Sequence, residues 1–353
     1  MKDIAFLRLI HQQILNTRCR QPHEVVSVLG AIQAQDYAAS LWAIGARLPT
    51  STRTDVESAV SEHRIVRTWA MRGTIHLIAA EDVRWMLPLL APRVLSGAAG
   101  RDRQLGLDAA TFSRSRKLLE KALQGGKQMP RDEVYAVLES SKISTEGQRG
   151  YHILWRLGLE GVVCFGQHEG KQPTFALLDD WVPQSRRLER DAALAELALR
   201  YFSSRGPATA QDFATWAKLS LAEARAGLES SAPELQRFTQ TGETYWMSKM
   251  LAESTDSQTA FLLPAFDEYL LGYKDRNAVL AAEHAGKVVP GGNGMFLPMM
   301  VLDGRIVGIW KRTLKKTSVH IDYAPFGKLK KSNLASFDVA AQRYGAFLGL
   351  MVE

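Results

Sequence analysis

Apolar residues recur along the chain at two spacings, one typical of amphipathic helices and one typical of short strands. Apolar positions three and four residues apart predict helices, and short runs rich in β-branched and aromatic residues predict strands. Helices followed by two short strands and a turn occur three times along the chain. This order is typical of a winged helix, so the pattern predicts three winged helices in tandem.

Each predicted copy has its own elements. The first has helices at 4–17, 25–32, 37–48 and 54–63 and strands at 65–70 and 74–78, around a turn at 71–73. The second has helices at 111–123, 131–138 and 150–157 and strands at 162–165 and 174–177, around a polar turn at 167–171. The third has helices at 188–202, 209–216 and 221–228 and strands at 235–239 and 244–248. Pro207 and Ser220 are residues that commonly precede or begin helices, which supports the third copy.

The pattern changes after residue 259. Strands are predicted at 261–264, 295–302, 306–310 and 318–323, followed by a helix at 334–348. Asp303-Gly304 between two of these strands is the strongest hairpin signal in the chain. A glycine cluster at 290–294 is interpreted as a flexible connection. The chain is thus predicted to divide into segments 1–105, 106–185 and 186–255, one for each winged helix, and a β-rich segment 256–353 closed by the last helix.

Composition narrows the class of protein. The 353 residues are 46% hydrophobic and 23% charged, which excludes wholesale disorder and fibrous structure. No run of apolar residues is long enough to span a membrane and the first residues do not resemble a signal peptide, so we expect a cytoplasmic protein. Cys19 and Cys164 are predicted to be reduced packing residues. The sequence contains no recognisable metal-ligand or nucleotide-hydrolysis motif, so we expect no metal and no cofactor.

Basic residues exceed acidic ones by 44 to 37, a net charge of +7, which favours a polyanionic partner. Most of the excess lies between Lys311 and Lys331, where one acidic residue accompanies seven basic ones. They are Lys311, Arg312, Lys315, Lys316, Lys328, Lys330 and Lys331. These basic residues are interpreted in two ways: as charged side chains that prevent aggregation at an exposed sheet edge, or as a surface that contacts phosphates. We expect the first four to bind DNA.

Three stretches carry a resemblance to a known family. They are Gln33-Ala34-Gln35, residues 67–76 (RTWAMRGTIH) and residues 262–273 (LLPAFDEYLLGY). With them the sequence resembles, over essentially its whole length, the tandem winged-helix family that contains the AlkZ-type DNA glycosylases. The resemblance implies an α+β fold with three winged helices arranged as a C around a small β-barrel. It also implies bacterial base-excision repair, in which N7-alkylated purines, bulky adducts and interstrand crosslinks are removed by a catalytic Gln-X-Gln motif.

Gln33 and Gln35 are the catalytic residues that the resemblance implies. Side chains two residues apart share a face only on extended backbone, and Asp36 is a plausible N-cap for the next helix, which leaves the pair outside a helix. The residues alone favour capping or bridging by these amides, whereas the resemblance favours catalysis. A purine alkylated at N7 is cationic and leaves without a general acid, so neutral amides that orient a water are sufficient. No lysine neighbours the pair in sequence, which predicts a monofunctional glycosylase without strand cleavage.

The hairpin at 65–78 is the predicted DNA probe. Its DNA-binding candidates are Arg67, Trp69, Arg72, Thr74 and His76, with Arg72 at the tip as the main contact. Packing in the core is the alternative for Trp69, and a buried, hydrogen-bonded imidazole is the alternative for His76. Asp267 and Tyr269 are interpreted as capping or bridging residues rather than catalytic ones.

Three functions remain open from the residues. The first is a DNA glycosylase for N7-alkylpurines, acting as a monomer on alkylated double-stranded DNA in the cytoplasm and at the nucleoid. The second is a winged-helix DNA-binding or regulatory protein without catalysis. The third is a small-molecule sensor that uses a cleft between the second and third copies. No sustained heptad pattern predicts a dimerisation helix.

Overall fold

The computed structural model describes residues 3–169, 172–249, 260–292 and 294–353, and helices and strands are mixed along the chain, as expected for the α+β class. The helices are α1 (Ile4–His11), α2 (Pro22–Leu29), α3 (Tyr37–Gly45), α4 (Arg53–Ser61), α5 (Val83–Gln104), α6 (Ala109–Leu123), α7 (Arg131–Ser140), α8 (Arg149–Leu159), α9 (Leu178–Trp181), α10 (Arg190–Arg205), α11 (Ala210–Ala217), α12 (Leu221–Ser231), α13 (Glu268–Leu271), α14 (Ala285–Val288) and α15 (Lys331–Leu348). The strands are β1 (Ile32–Gln33), β2 (Ile65–Trp69), β3 (Ile75–Ala79), β4 (Met129–Pro130), β5 (Val163–Glu169), β6 (Gln172–Leu177), β7 (Leu235–Gln240), β8 (Glu243–Ser248), β9 (Ala260–Leu263), β10 (Met299–Leu302), β11 (Arg305–Leu314), β12 (Ser318–Pro325) and β13 (Met351–Val352).

The predicted order of helices and hairpins is confirmed in all three copies. Ser220 is the N-cap of α12 and forms a capping box with Glu223, as its position predicted, whereas Pro207 lies three residues before α11. The second hairpin differs from the prediction, because Gln167–Glu169 continue β5 rather than form a turn, and residues 170–171 lie outside the described residues. Among the described helices, none is both long enough and apolar enough to cross a bilayer.

Helix α5 is missing from the prediction. It has 22 residues and contains Pro88 and Pro92, which lack the main-chain N–H of an interior helical position. Its first half nevertheless buries a continuous apolar surface that includes Trp85, Met86 and Leu90. Burial of this surface outweighs the two lost hydrogen bonds, so tertiary packing rather than local propensity forms the helix.

The chain packs into two compact units. The first unit consists of Met1–Ser58, Leu194–Trp216 and Ser220–Glu353, and the second of Ala59–Ala193 and Ala217–Leu219. Each unit is therefore assembled from segments distant in sequence. The predicted division at residues 105, 185 and 255 stays a prediction.

The first unit contains a five-stranded sheet with the strand order β13-β12-β11-β10-β9, whose outer strands are β9 and β13. The predicted Asp303-Gly304 hairpin is confirmed, because Leu302 pairs with Arg305 and both turn residues have positive φ, 48° and 77°. A Cβ on Gly304 would lie 2.8 Å from the main chain of Ala5, so glycine is also required here by the close approach of α1. The tight turn therefore fixes α1 against the sheet.

Aromatic side chains join the sheet of the first unit to its helices. Trp42 of α3 packs against Tyr344 and Phe347 of α15, with ring centroids 4.9 and 5.1 Å apart. Its Nε1–H donates to the main-chain oxygen of Leu262 in β9 at 2.7 Å, and Trp310 of β11 donates in the same way to Leu263 at 2.8 Å. Both indoles thus bury apolar area and satisfy their polar atom on strand β9.

The second unit has a hydrophobic core that includes residues of five neighbouring strands and the helices packed on them. Strands β3, β2, β5, β6 and β4 lie side by side in that order, and Arg67 of β2 pairs with Phe165 of β5. Helices α5, α6, α7 and α8 contribute buried apolar residues to one cluster with this sheet. Trp69 lies in this cluster, 4.5 Å from Phe165 between ring centroids. The first hairpin is thus built into a hydrophobic core.

His11 in α1 makes the stability of the first unit dependent on pH. Burial lowers its pKa from 6.5 to about 4, a hydrogen bond with the main chain of Ser203 opposes this shift, and Arg18 adds to it. Between those two pH values the unfolded chain binds a proton that the folded chain does not, so the free energy of unfolding decreases as the pH is lowered, by up to about 3 kcal/mol. We expect His11→Asn to remove this component. In urea unfolding at about pH 7.5 and about pH 5, the wild type should lose about 2 kcal/mol more than the variant.

The matched control is His320→Asn, at an exposed position of β12. It should keep the pH dependence of the wild type. Equal losses in the wild type and His11→Asn would show that the buried imidazole is not the titrating group.

Candidate active site

The segment from Gly30 to Asp36 connects two helices of the first unit and carries both glutamines. Helix α2 ends at Leu29, and its C-cap Gly30, with a φ of 73°, turns the chain out of the helix. The short strand β1 follows, and Asp36 then caps α3 by accepting the N–H of Ala39 at 3.0 Å. The predicted N-cap is therefore confirmed, and Gln33 and Gln35 lie on non-helical backbone between two fixed helix ends.

Gln33 and Gln35 differ in burial. Gln33 is 8% exposed, Gln35 is exposed, and Ala34 between them is fully buried. Alternate residues of an extended segment face the same side, so an inward Ala34 is consistent with both glutamines lying on the opposite side. This placement fits a shallow site in which one amide is packed and the other is accessible to a large substrate.

A buried ion pair contacts the main chain of the glutamine segment. Arg205 of α10 and Glu268 of α13 have fully buried side chains, and Nη2 of the arginine lies 2.7 Å from Oε2 of the carboxylate. Arg205 also donates to the main-chain oxygens of Leu29 at 2.6 Å and Ala31 at 3.2 Å. The N–H of Gln33 donates to Oε1 of Glu268 at 3.3 Å. The ion pair thus contacts the main chain of residues 29, 31 and 33, which are every second residue of this segment.

A second buried ion pair lies next to the first. Both terminal nitrogens of Arg47 donate to Asp267, at 2.9 and 2.8 Å, and Asp267 also accepts the N–H of Tyr269 at 2.8 Å. Gln12 bridges the pairs, because its Oε1 accepts from Arg47 at 2.8 Å and its Nε2 donates to the main-chain oxygen of Glu268 at 3.3 Å. Although burial opposes it, the charge of Asp267 raises the pKa of Arg47.

The capping and bridging interpretation of Asp267 and Tyr269 is confirmed. Asp267 is the N-cap of α13 and the partner of Arg47, and the hydroxyl of Tyr269 donates to the main-chain oxygen of Gly304 at 2.6 Å. Glu268 and Arg205 were not recognised from the sequence. Two consecutive acidic residues, Asp267 and Glu268, in a largely apolar stretch are a signal that indicates a buried ion pair, because charged residues are rarely buried without a partner.

The first hairpin places its predicted DNA contacts mostly in the interior of the second unit. Trp69 is 1% exposed and His76 is 0% exposed, which agrees with the packing alternatives for both. Arg67 is 8% exposed, and its guanidinium lies 4.7 Å from the ring centroid of Phe165. Thr74 is half-buried. In this conformation these residues support the hairpin from inside, and their contact with DNA stays a prediction.

Arg72 occupies the tip of the hairpin in a backbone conformation that is unusual for its residue type. Its φ is 58° and that of Gly73 is 75°, so both turn residues are left-handed. The guanidinium is half-buried, with Nη2 3.4 Å from Nε2 of His76, which in turn approaches the main-chain oxygen of Thr74 at 2.9 Å through Nδ1. Non-glycine residues adopt this conformation at some energetic cost, which is often accepted at functional positions.

The basic segment of the first unit begins at the end of strand β11. Lys311 and Arg312 pair with Asp322 and Ile321 of β12, whereas the pairing of β11 with β10 extends only from Arg305 to Ile309, so the sheet-edge alternative stays a prediction. Arg312 donates to the hydroxyl of Tyr344 at 2.5 Å, and Lys315 forms an ion pair with Glu353, whose pKa is lowered by hydrogen bonds from Lys315 and Ser318. Lys311 and Lys316 are exposed, and within the described part of the chain neither has an acidic partner within ion-pair distance.

A cavity of about 840 Å³ lies elsewhere in the first unit. Its lining includes Arg8, Asp212, Tyr245, Lys274 and Arg305, and neither candidate glutamine lines it. Over residues 3–169, 172–249, 260–292 and 294–353, no group of three or more His, Cys, Asp or Glu side chains is arranged to bind a metal ion.

Comparison with known proteins identifies the class. The family model described as DNA glycosylase AlkZ-like matches residues 26–347. The chain therefore belongs to the AlkZ-like family, and it is an enzyme of the DNA glycosylase class acting on DNA. This membership decides against a binding protein without catalysis.

Two individual relatives extend this result. The chain is 27% identical over 327 residues to a protein of Streptomyces sahachiroi named interstrand DNA cross-link repair glycosylase, covering 87% of this chain and 86% of the relative. The solved structure of Streptomyces sahachiroi DNA glycosylase AlkZ is similar with a TM-score of 0.83 and 24% identity, covering 99% of this chain and 98% of that one. At this identity the structural match establishes the shared fold.

The left-handed tip of the hairpin allows a test of its DNA contact. We expect Arg72→Gly to leave the second unit as stable or more stable by up to about 1 kcal/mol, because glycine adopts φ of 58° without strain. The variant should bind duplex DNA more weakly, because it loses the only arginine of the turn. Thermal unfolding and fluorescence anisotropy with a labelled duplex measure the two effects.

Gly73→Ala is the matched control for Arg72→Gly. Its Cβ would lie 3.1 Å from Trp155 and Val94 at a positive φ, so it should destabilise the hairpin while keeping the arginine. Unchanged DNA affinity in Arg72→Gly would remove Arg72 from the DNA-binding surface.

Proposed function

We propose that the protein hydrolyses the N-glycosidic bond of N7-alkylated purines in DNA, with Gln33 and Gln35 as the catalytic residues. The observation that carries the proposal is the non-helical segment in which the two amides flank a buried Ala34 and Gln35 is exposed. Amide oxygens can hold a water in position for attack on the anomeric carbon, and their dipoles stabilise the cationic sugar that develops. The leaving purine is already positively charged, so it needs no proton donor.

The acidic residue nearest to the glutamines in sequence supports the assignment of the amides as the groups that orient water. Asp36 follows Gln35 directly, but one of its carboxylate oxygens accepts the N–H of Ala39 at the start of α3. That carboxylate is engaged as the cap of α3. The amides are thus the polar groups of the segment best suited to orienting water. An amide cannot abstract a proton at neutral pH, which restricts the enzyme to substrates with good leaving groups.

The substrate range that we propose includes bulky adducts and interstrand crosslinks. A relative named as an interstrand cross-link repair glycosylase supports this extension. An accessible Gln35 also favours it, because a site that encloses the flipped base would exclude an adduct attached to both strands. We further propose that the enzyme is monofunctional, acts as a monomer without a cofactor or metal, and works in the cytoplasm at the nucleoid.

The assignment of the three helix-and-hairpin copies as winged helices is part of the same proposal. So are the β-barrel and the four-segment division that the sequence predicts. The confirmed order of elements and the shared fold with a DNA glycosylase support them. Lys311, Arg312, Lys315 and Lys316 are proposed to bind phosphates, together with Arg72 and the other hairpin residues named above.

The catalytic assignment is tested on a duplex with a single N7-methylguanine. We expect Gln33→Ala and Gln35→Ala each to lower the single-turnover rate of base release at least about tenfold, equivalent to about 1.4 kcal/mol in the barrier. Gln124→Ala, at an exposed position that ends α6, is the control and should retain the wild-type rate. Wild-type rates in both active-site variants would overturn the assignment. A crosslinked duplex assayed in parallel tests the proposed substrate range.

The phosphate contacts are tested through the salt dependence of DNA binding. Each phosphate contact contributes about 0.9 to the slope of log K against log salt concentration, so Lys311→Ala with Lys316→Ala should reduce the slope by about 1.8. Lys315→Ala should change it less, because Glu353 already neutralises that lysine. Lys117→Ala, exposed on α6, is the control. An unchanged slope in the double variant would exclude this segment from the interface.

A further inference from the structure

We propose that Glu268 is a positioning residue for Gln33: its buried carboxylate fixes the main chain of the glutamine segment in the geometry that catalysis requires. The inference rests on the proposed role of Gln33 and extends it to a residue that touches neither the substrate nor the reacting atoms. Glu268 acts on the site through the N–H of Gln33, which donates to its Oε1 at 3.3 Å.

The second carboxylate oxygen of Glu268 also accepts hydrogen bonds. Oε2 accepts from Arg205 at 2.7 Å and from Nε1 of Trp216 at 2.8 Å, and all three side chains are fully or almost fully buried. Two donors of fixed direction leave the carboxylate little freedom to rotate. Oε1 is therefore presented to Gln33 in one orientation, and the position of Gln33 follows from the packing of Arg205 and Trp216.

Stability alone does not explain this arrangement. Removing a carboxylate and a guanidinium from water is unfavourable, and apolar replacements of buried pairs are often neutral or stabilising. The pair instead bonds to three main-chain groups of one segment, the oxygens of Leu29 and Ala31 and the N–H of Gln33. It thereby fixes the backbone at the residue before Ala34.

The backbone immediately before Glu268 adopts a strained conformation. Phe266 has a φ of 58°, in the left-handed region that bulky residues avoid, and its side chain is buried. Such strain has an energetic cost and persists where the surrounding structure requires it. Here it turns the chain so that Asp267 and Glu268, although adjacent, both enter the interior and reach different arginines.

Asp267 supplies the matched control. It is the same kind of group, a buried carboxylate paired with an arginine in the same turn, but it bonds to Arg47 and to the N–H of Tyr269. Loss of either carboxylate disturbs a buried ion pair. Only loss of Glu268 removes the acceptor for the N–H of Gln33, so a structural effect common to both can be separated from positioning.

The experiment compares Glu268→Gln with Asp267→Asn in the full-length protein, using the duplex with a single N7-methylguanine. An amide has one acceptor oxygen and one donor nitrogen, so the side chain introduced by Glu268→Gln cannot accept from both Gln33 and the Arg205–Trp216 side. Rates are measured in single turnover at a temperature where circular dichroism shows each variant folded. We expect Glu268→Gln to lower the rate about tenfold with DNA affinity changed less than about twofold, and Asp267→Asn to lower it less than about threefold.

A double-variant cycle identifies the route of the effect. If Glu268 acts through Gln33, Glu268→Gln should cause little further loss in a Gln33→Ala background, because coupled residues are not additive. Additive losses, or equal rates in Glu268→Gln and Asp267→Asn, would overturn the inference. If Gln33→Ala itself has no effect, the proposed function fails instead, which is a distinguishable outcome.

Trp216→Phe keeps the inference testable should Glu268→Gln fail to fold. It preserves the ring packing and removes one hydrogen bond to Oε2. We expect an intermediate loss of rate, about threefold, again absent in the Gln33→Ala background. A wild-type rate in Trp216→Phe together with an unfolded Glu268→Gln would count against positioning by this carboxylate.

Discussion

The candidate active site depends on the ion pair between Arg205 and Glu268. Two opposite charges without access to water remain favourable only while their geometry is good and their other hydrogen bonds are made. Here those bonds go to the main chain of the segment that bears Gln33 and to Trp216. The contacts that stabilise these two buried charges thus also hold the main chain of the proposed catalytic segment.

This arrangement fits the proposed use of neutral side chains in a hydrolytic enzyme. Amides have no charge with which to attract the substrate and no proton affinity with which to activate water, so orientation is their main contribution. Orientation requires a backbone that does not move during the reaction. The two helix ends at Gly30 and Asp36 and the buried pair behind Gln33 provide that rigidity. In the proposed reaction, selectivity comes largely from the positive charge of the leaving base.

Sequence patterns predicted most of the local structure. The Asp303-Gly304 turn, the Ser220 cap and the Asp36 cap were correct because turn and cap residues act through their own backbone conformation and nearby N–H groups. Helix α5 was missed because Pro88 and Pro92 oppose it locally while burial of its first half favours it.

By itself the sequence determined the α+β class, the order of helices and hairpins, and the two glutamines on a non-helical connection, since these depend on periodicity and on short-range chemistry. Only the tertiary structure decided that Trp69 and His76 are interior residues, because a strand of two-residue period does not reveal whether both of its faces are covered. It alone brought Arg205 and Glu268, 63 positions apart, to the main chain of Gln33. Contacts of that range depend on how the whole chain packs.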